Sequence, residues 1–339
     1  ENDESYFHFS SRSQVYFLVR ISLLCPTRKR PDKMLIMFHS AIYNADKPAD
    51  IECVFFIDDD DEAAQKQFEE MRNVYGDRVK ARVGKRVILA MTWNECLPLA
   101  SGDIIMHCND DIVFRTKGWD TIIRNEFDKS TDKILCVYGR DGIQDERLAT
   151  FGFYSRRLPD ILGYFTPPYF SCDYCDNWLF GIHKALGRTR YHSEMYIEHF
   201  HPTAGKAPID ETHRDRMNAG ARDNVNQLWW NLQPKLMEDV KKLQCYISDW
   251  QKNFRIGWVG LGKLGLPCAL TIASKGFHVI GYDVNPEIIK LVRTKGKIPY
   301  KEEGAQELLY TAKMETGSIS AIVHICNIIF VAVQTPHNE

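Results

Sequence analysis

Arg255-Ile-Gly-Trp-Val-Gly260-Leu261-Gly262-Lys263-Leu264-Gly265-Leu-Pro267 reads as a buried strand entering a glycine-spaced turn that opens a helix. In such a turn the first glycine permits the tight bend. The second lets backbone approach a pyrophosphate, the third lets helix and strand pack closely, and the helix N-terminus offers N–H groups to phosphate. The context fits: Ile256 to Val259 is apolar, Cys268 to Ser274 is helical in pattern, and Phe277 to Asp283 is a second strand ending in an acid. Asp283 stands where a carboxylate accepts hydrogen bonds from an adenosine ribose, which favours NAD over NADP. A strand-turn-helix without a ligand is the alternative.

Upstream, strand-like and helix-like stretches alternate: Val19 to Cys25, Asp32 to Ala45, Ile51 to Ile57, Glu62 to Val74, Val79 to Val83, Thr92 to Ala100, Ile104 to Cys108, Trp119 to Phe127 and Ile134 to Tyr138. This order predicts an α/β protein with a mostly parallel sheet covered by helices. From Asp141 to Pro208 aromatics, Gly and Pro dominate and periodicity weakens, the pattern of loops and binding surface. Asp210 to Asp249 is helical, with Leu228, Leu232, Leu236, Val240 and Leu243 at three- or four-residue intervals. The predicted organisation is a first domain over 1–209, a helical closing segment and linker over 210–253, and a partial doubly wound Rossmann domain over 254–339.

The 339 residues carry 43 basic and 45 acidic side chains, so overall charge gives no argument for nucleic acid or a membrane surface. Val15 to Cys25 is interrupted by Arg20 and is too short to cross a bilayer. Ten scattered cysteines read as reduced thiols of a cytoplasmic protein, with Cys172 and Cys175 packing locally. The chain begins at Glu1 and ends just after an apolar strand, and is expected to be a fragment.

Two acid clusters follow apolar strands: Asp58-Asp-Asp-Asp61 after Cys53 to Ile57, and Asn109-Asp110-Asp111 after Ile104 to Cys108. Carboxyl ends of strands are where open α/β sheets bind ligands, so both clusters can share one crevice. Gathered carboxylates repel unless a cation or donors compensate, and oxygen ligands suit Mg²⁺ or Mn²⁺. For Asp58 to Asp61 a solvated charge run is the competing explanation.

In order, Ser22-Leu-Leu-Cys-Pro26-Thr27-Arg28-Lys-Arg30-Pro31, Asp58, Trp93-Asn94 to Asp103, Asn109-Asp110-Asp111 and Gly118-Trp119-Asp120 resemble the nucleotide-sugar glycosyltransferases of the GT-A fold, over roughly 21–202. The resemblance implies a GT-A-like mixed, mostly parallel sheet with flanking helices, a nucleotide-diphosphate sugar donor and a glycan or other hydroxyl acceptor. It places Thr27, Arg28, Arg30, Asp58, Asn94 and Asp110 at the donor nucleotide, with Asp58 on the base, Asp110 on the ribose and Asp111 on a metal. Asn109 replaces the first acid of a strict D-x-D. Cys172 to Trp178 resembles the motif supplying the base of inverting members, with Asp176 the first choice and Asp173 the second; helix capping is the alternative. His199, or His201 on the same strand face, resembles the late metal ligand of some relatives.

Residues 254–339 resemble the NAD-binding domain of the UDP-glucose/GDP-mannose dehydrogenase family, adding Asn285-Pro286, Pro299-Tyr300, and Thr335-Pro336 beside the cofactor. The expected cofactor-binding set is Gly260, Gly262, Lys263, Leu264, Gly265, Asp283, Thr335 and Pro336. The family's nucleophilic cysteine and lysine belong to later segments, so hydride transfer is not expected of residues 254–339. That family associates into oligomers. The expected function is metal-assisted, inverting glycosyl transfer fused to an incomplete dehydrogenase domain. A non-catalytic nucleotide or glycan binding module, or the front region of a full-length UDP-sugar dehydrogenase, are the alternatives.

Overall fold

The computed structural model describes residues 19–332, so Thr335 and Pro336 lie outside the described residues. The chain divides into two compact units, 1–244 and 245–339.

The first unit opens with β1 (Ile21–Thr27), α1 (Pro31–Tyr43), β2 (Ile51–Asp58), α2 (Glu62–Tyr75), β3 (Val79–Gly84), α3 (Leu89–Cys96) and β4 (Ile104–His107). Every residue of β2 is buried, as expected of a parallel strand covered on both faces. β1 pairs in parallel with both β2 and β4. The second half adds β5 (Ile112–Phe114), α4 (Trp119–Lys129), β6 (Cys136–Arg140), β7 (Phe153–Ser155), α5 (Arg157–Leu162), α6 (Cys175–Ala185) and the long β8 (Thr189–His199). Strand order is β3-β2-β1-β4-β7-β6-β8-β5. The predicted mixed, mostly parallel sheet is present, with antiparallel pairs confined to β4–β7, β6–β7 and β5–β8.

Two buried tryptophans tie distant backbone together, one at a strand exit and one at the last turn of α1. Trp93 Nε1 donates to the Cys108 carbonyl at 2.9 Å and Trp119 Nε1 to the Ala41 carbonyl at 2.9 Å. The first holds the exit of β4, from which the acids project. Where periodicity predicted one amphipathic helix over 210–249, the structure has three: α7 (Glu211–Arg222), α8 (Val225–Asn231) and α9 (Gln233–Asn253). The first break is at Asn224, in the left-handed region with φ 46°. Asp239 anchors α9, fully buried, accepting from Trp178 Nε1 at 3.3 Å and from the Tyr164 hydroxyl.

The second unit holds β9 (Arg255–Val259), α10 (Gly265–Ser274), β10 (His278–Tyr282), α11 (Pro286–Thr294), α12 (Ala305–Thr311), β11 (Met314–Thr316), α13 (Ile319–Ile325) and β12 (Ile328–Val331). Its four strands are all parallel in the order β11-β10-β9-β12, the doubly wound half expected. Leu266, Ala269 and Leu270 bury one face of α10 in a core shared with Leu261 of the preceding turn, Ile256 of β9 and Val279 of β10. Among the described residues no helix is long and apolar enough to cross a membrane.

Candidate active site

The loop after β1, the end of β2, the turn between β4 and β5 and the face of α7 enclose a cavity of about 590 Å³. Thr27, Arg28, Arg30, Asp58, Asp110 and Asp111 all line it. The run Asp58 to Asp61 divides its labour: Asp58 is buried in the cavity wall, Asp60 is exposed, and Asp61 caps α2 by accepting from the Ala64 N–H. Burial raises the Asp58 carboxyl above its ordinary range, against the pull of Arg28, which donates to it.

Arg30 organises the floor. Its guanidinium reaches Asp110 Oδ1 at 3.0 Å, Asp111 Oδ2 at 3.7 Å and Asp210 Oδ2 at 2.8 Å, while the Thr27 hydroxyl donates to Asp110 Oδ2 at 2.8 Å. Burial opposes the arginine's charge, yet the three acids hold its pKa above the usual value. Burial likewise raises Asp110 despite Arg30. Burial also works against ionised Asp111, but His199 and Arg30 prevail and its carboxyl sits low.

A second cavity of about 410 Å³ shares Asp111 with the first and is lined by Asp173, Asp176, His199 and His201. β8 is what brings His199 there. It pairs antiparallel to β5 with Ile112 opposite His199, and the Phe200 N–H donates to the Asp111 carbonyl at 2.8 Å. His199 Nε2 consequently stands 3.6 Å from Asp111 Oδ1, a buried oxygen with no hydrogen-bond partner. His201 is turned to Thr203, 2.8 Å from Nδ1, and Arg216, 3.4 Å from Nε2. Among the described residues no group of three or more His, Cys, Asp or Glu is gathered to hold a metal ion. Asp111 and His199 are the two side chains there that could hold a metal, whose other ligands would have to be water or phosphate oxygens.

Asp176 sits in the first turn of α6, where it accepts from the Asn177 N–H at 2.9 Å. Residue 174 holds the cap position without a side-chain bond, so neither acid caps this helix through the expected position. Burial pushes the Asp176 carboxyl up to about 6, with Asp173 adding like charge. Asp173 is half exposed, 3.7 Å from Arg216.

Asn94 is placed differently from its expected role at the donor. Its amide donates to the Ala90 and Thr166 carbonyls at 3.0 and 2.8 Å, and its oxygen accepts from the Phe165 and Thr166 N–H groups. It braces a loop and lines neither cavity. Conversely, Arg86, His213, Arg216 and Arg222 line the first cavity without having been singled out from sequence. For Arg216 and Arg222 the signal was a stripe on α7, at 212, 215, 216, 219 and 222, whose helical spacing sets one face toward the cavity; Arg86, before α3, carried no such mark. Cys172 and Cys175 are free buried thiols, the second 3.7 Å from the carbonyl of the first.

In the second unit Gly260 has φ 92°, and a Cβ there would lie 1.9 Å from the Ala332 carbonyl oxygen. A Cβ at Gly265 would lie 1.9 Å from the Gly260 carbonyl oxygen, whereas Gly262 faces open space. Asp283 Oδ2 accepts from the Leu261 N–H at 2.6 Å and Oδ1 from the Asn285 N–H at 2.8 Å, tying the acid to the turn. Leu264 is exposed, Lys263 is exposed beside it, and the Tyr300 hydroxyl donates to the Gly262 carbonyl at 3.2 Å. Because the two closest atoms to a Gly265 Cβ are the Gly260 carbonyl oxygen and carbon, which are backbone, Gly265→Ala is expected to destabilise this unit by about 3 kcal/mol, at the upper end of overpacking costs. Calorimetry of the full chain would show its transition moving down in temperature; an unchanged transition would refute the close packing.

Residues 254–339 match the UDP-glucose/GDP-mannose dehydrogenase family, NAD binding domain. Within this stretch the chain is 33% identical over 85 residues to UDP-N-acetyl-D-mannosamine dehydrogenase of Pyrococcus horikoshii, covering 24% of this chain and 20% of that protein. It is 33% identical over 91 residues to GDP-mannose 6-dehydrogenase of Pseudomonas aeruginosa, covering 25% and 20%. The chain thus spans about a fifth of the length of these relatives. Among solved structures, the mannosyltransferase PcManGT of Pyrobaculum calidifontis, in complex with GDP-Man and Mn²⁺, gives a TM-score of 0.48 at 13% identity, covering 76% of this chain and 79% of that one. S. aureus TarS 1–349 in complex with UDP-GlcNAc gives 0.43 at 15% identity, covering 61% and 67%.

Proposed function

We propose that the first unit is a metal-assisted, inverting glycosyltransferase and that the second binds NAD. The observation supporting transfer is that the two cavities share Leu89, Asn109, Asp111 and Arg216 in their walls. One side offers arginines and strand-end acids suited to a nucleoside diphosphate, the other a carboxylate with raised pKa. Arg28, Arg30 and Arg86 orient the diphosphate, with Asp58 toward the base and Asp110 toward the ribose. Mg²⁺ or Mn²⁺ on Asp111 and His199 would neutralise charge on the departing diphosphate.

Asp176 accepts the proton of the acceptor hydroxyl as that oxygen bonds to the anomeric carbon. The bond from that carbon to the diphosphate oxygen breaks with its electron pair leaving on the diphosphate. A single displacement of this kind inverts the centre. In the second unit the open space at Gly262 and the N-terminus of α10 support pyrophosphate binding, with Asp283 at the ribose. Dehydrogenation by a protein containing this unit, and the substrate it would oxidise, belong to the same proposal.

Incubating the full chain with Mn²⁺ and a panel of UDP- and GDP-sugars, with glycoside acceptors, is expected to release the nucleoside diphosphate. No release and no diphosphate binding would overturn the transferase reading. A binding module without transfer is favoured by one feature, Asn109 in place of an acid at the turn; it predicts diphosphate binding with no release.

A further inference from the structure

We propose that His107, Thr150 and Asp141 form a hydroxyl-reading subsite at the floor of the second cavity, taking a pyranose ring through its hydroxyl hydrogens. The inference rests on the transferase reading for which substrate delivers the ring, but not for the chemistry of the pocket. All three residues line that cavity. His107 and Asp141 are 4% and 3% exposed.

Each has a buried polar atom with no hydrogen-bond partner: His107 Nε2, Asp141 Oδ2 and Thr150 Oγ1. Buried polar atoms are nearly always satisfied, so three orphans around one cavity point to a ligand or to water standing in for it. The rest of each group is already engaged. His107 Nδ1 is 3.2 Å from the Thr150 carbonyl, which accepts only from a protonated Nδ1. Nε2 is therefore an acceptor. Burial keeps the ring neutral, with its pKa lowered to about 4, and Trp93 packs on it at 4.1 Å between ring centroids.

Asp141 Oδ1 accepts from the N–H groups of Ile143, Gln144 and Asp145 at 2.9, 2.7 and 2.9 Å. That nest holds the carboxylate rigid and leaves Oδ2 without a hydrogen bond, with His199 Nδ1 4.0 Å from it. Two acceptors and one hydroxyl, fixed by a strand and a loop, require a ligand that presents several donors. Two of the three carry no charge, so neutral hydroxyls fit better than an ammonium. The ring can belong to the sugar on the nucleotide or to the acceptor, because Asp111 and Asp176 both line the cavity.

The test uses the full chain with His107→Phe, which keeps a flat ring against Trp93, and Thr150→Val as a variant of the same shape. One arm titrates UDP, GDP and their sugar conjugates in Mn²⁺. The other follows methyl glycosides of glucose, mannose and N-acetylglucosamine by saturation-transfer NMR without nucleotide. Loss of one such bond is expected to weaken binding about tenfold.

If the ring is the donor's, both variants lose about tenfold of the advantage of sugar nucleotide over diphosphate, with diphosphate affinity unchanged. If it is the acceptor's, the methyl glycoside signal weakens instead. The subsite is overturned if the parent shows neither a glycoside signal nor a sugar increment, or if both readouts survive both substitutions. A parent that binds glycoside but releases no diphosphate keeps the subsite and refutes transfer.

Discussion

Asp176→Asn is expected to lower kcat by about 10²- to 10⁴-fold, the usual range for loss of a positioned base, with nucleoside diphosphate affinity unchanged. The split follows from geometry. Asp176 lines the second cavity only, while the arginines and strand-end acids that would hold the nucleotide line the first. The amide keeps the shape and can still accept from the Asn177 N–H. It cannot take a proton.

The pH profile carries a second readout. Burial, with the like charge of Asp173 beside it, raises the Asp176 carboxyl to about 6. A base works only when ionised, so kcat/KM should rise with pH through about 6 and level off above it. Asp173→Ala removes a like charge and should move that limb to lower pH without abolishing turnover. If Asp173→Ala instead abolishes turnover and Asp176→Asn does not, the base is Asp173.

Arg30→Ala should destabilise the first unit by about 3–5 kcal/mol, the cost of stranding buried charge, and abolish measurable diphosphate binding. Three carboxylates meet at this one guanidinium, and two of them, Asp110 and Asp111, are buried. Removing Arg30 takes away the guanidinium they share, leaving Asp110 with Thr27 and Asp111 with His199, and loosens Asp210, the N-cap that starts α7. Arg30→Lys keeps charge but loses the fork that reaches several acids, so an intermediate loss is expected.

Acid should narrow the gap between parent and variant. Despite partial burial, Arg30 and the His213 N–H hold the Asp210 carboxyl well below its ordinary range. A depressed carboxyl contributes stability above its unfolded pKa and loses that contribution as pH falls through the folded value. Thermal unfolding at neutral pH and near pH 3 checks this. Equal destabilisation at both would show that Arg30 acts by packing alone.

Much of this was legible because it is local. Alternation placed β1 to β4 and their helices within a few residues. The acids at the ends of β2 and β4 were recognisable because strand termini announce a crevice. The glycine turn carries its own geometry at Gly260 and Gly265.

What escaped depends on contacts distant along the chain. Nothing near Ile112 says that it pairs with His199, yet that register sets Asp111 beside the histidine. Asn94 misled because an amide beside a motif carries no mark of what it bonds. Its partners lie in the Phe165–Thr166 loop, about 70 residues on. Polar residues of α7 look like a solvated face until the fold turns them over the cavity.

Arg216 stands in the walls of both cavities, touching His201 and lying near Asp173. Under the proposed transfer, one side chain would thus border both substrates. Reshaping it to admit a larger acceptor would then also alter how the donor is held, and natural variation at 216 would face the same constraint. Breadth for one partner and fidelity to the other must be sought together at this position, with independent tuning left to residues that belong to a single wall.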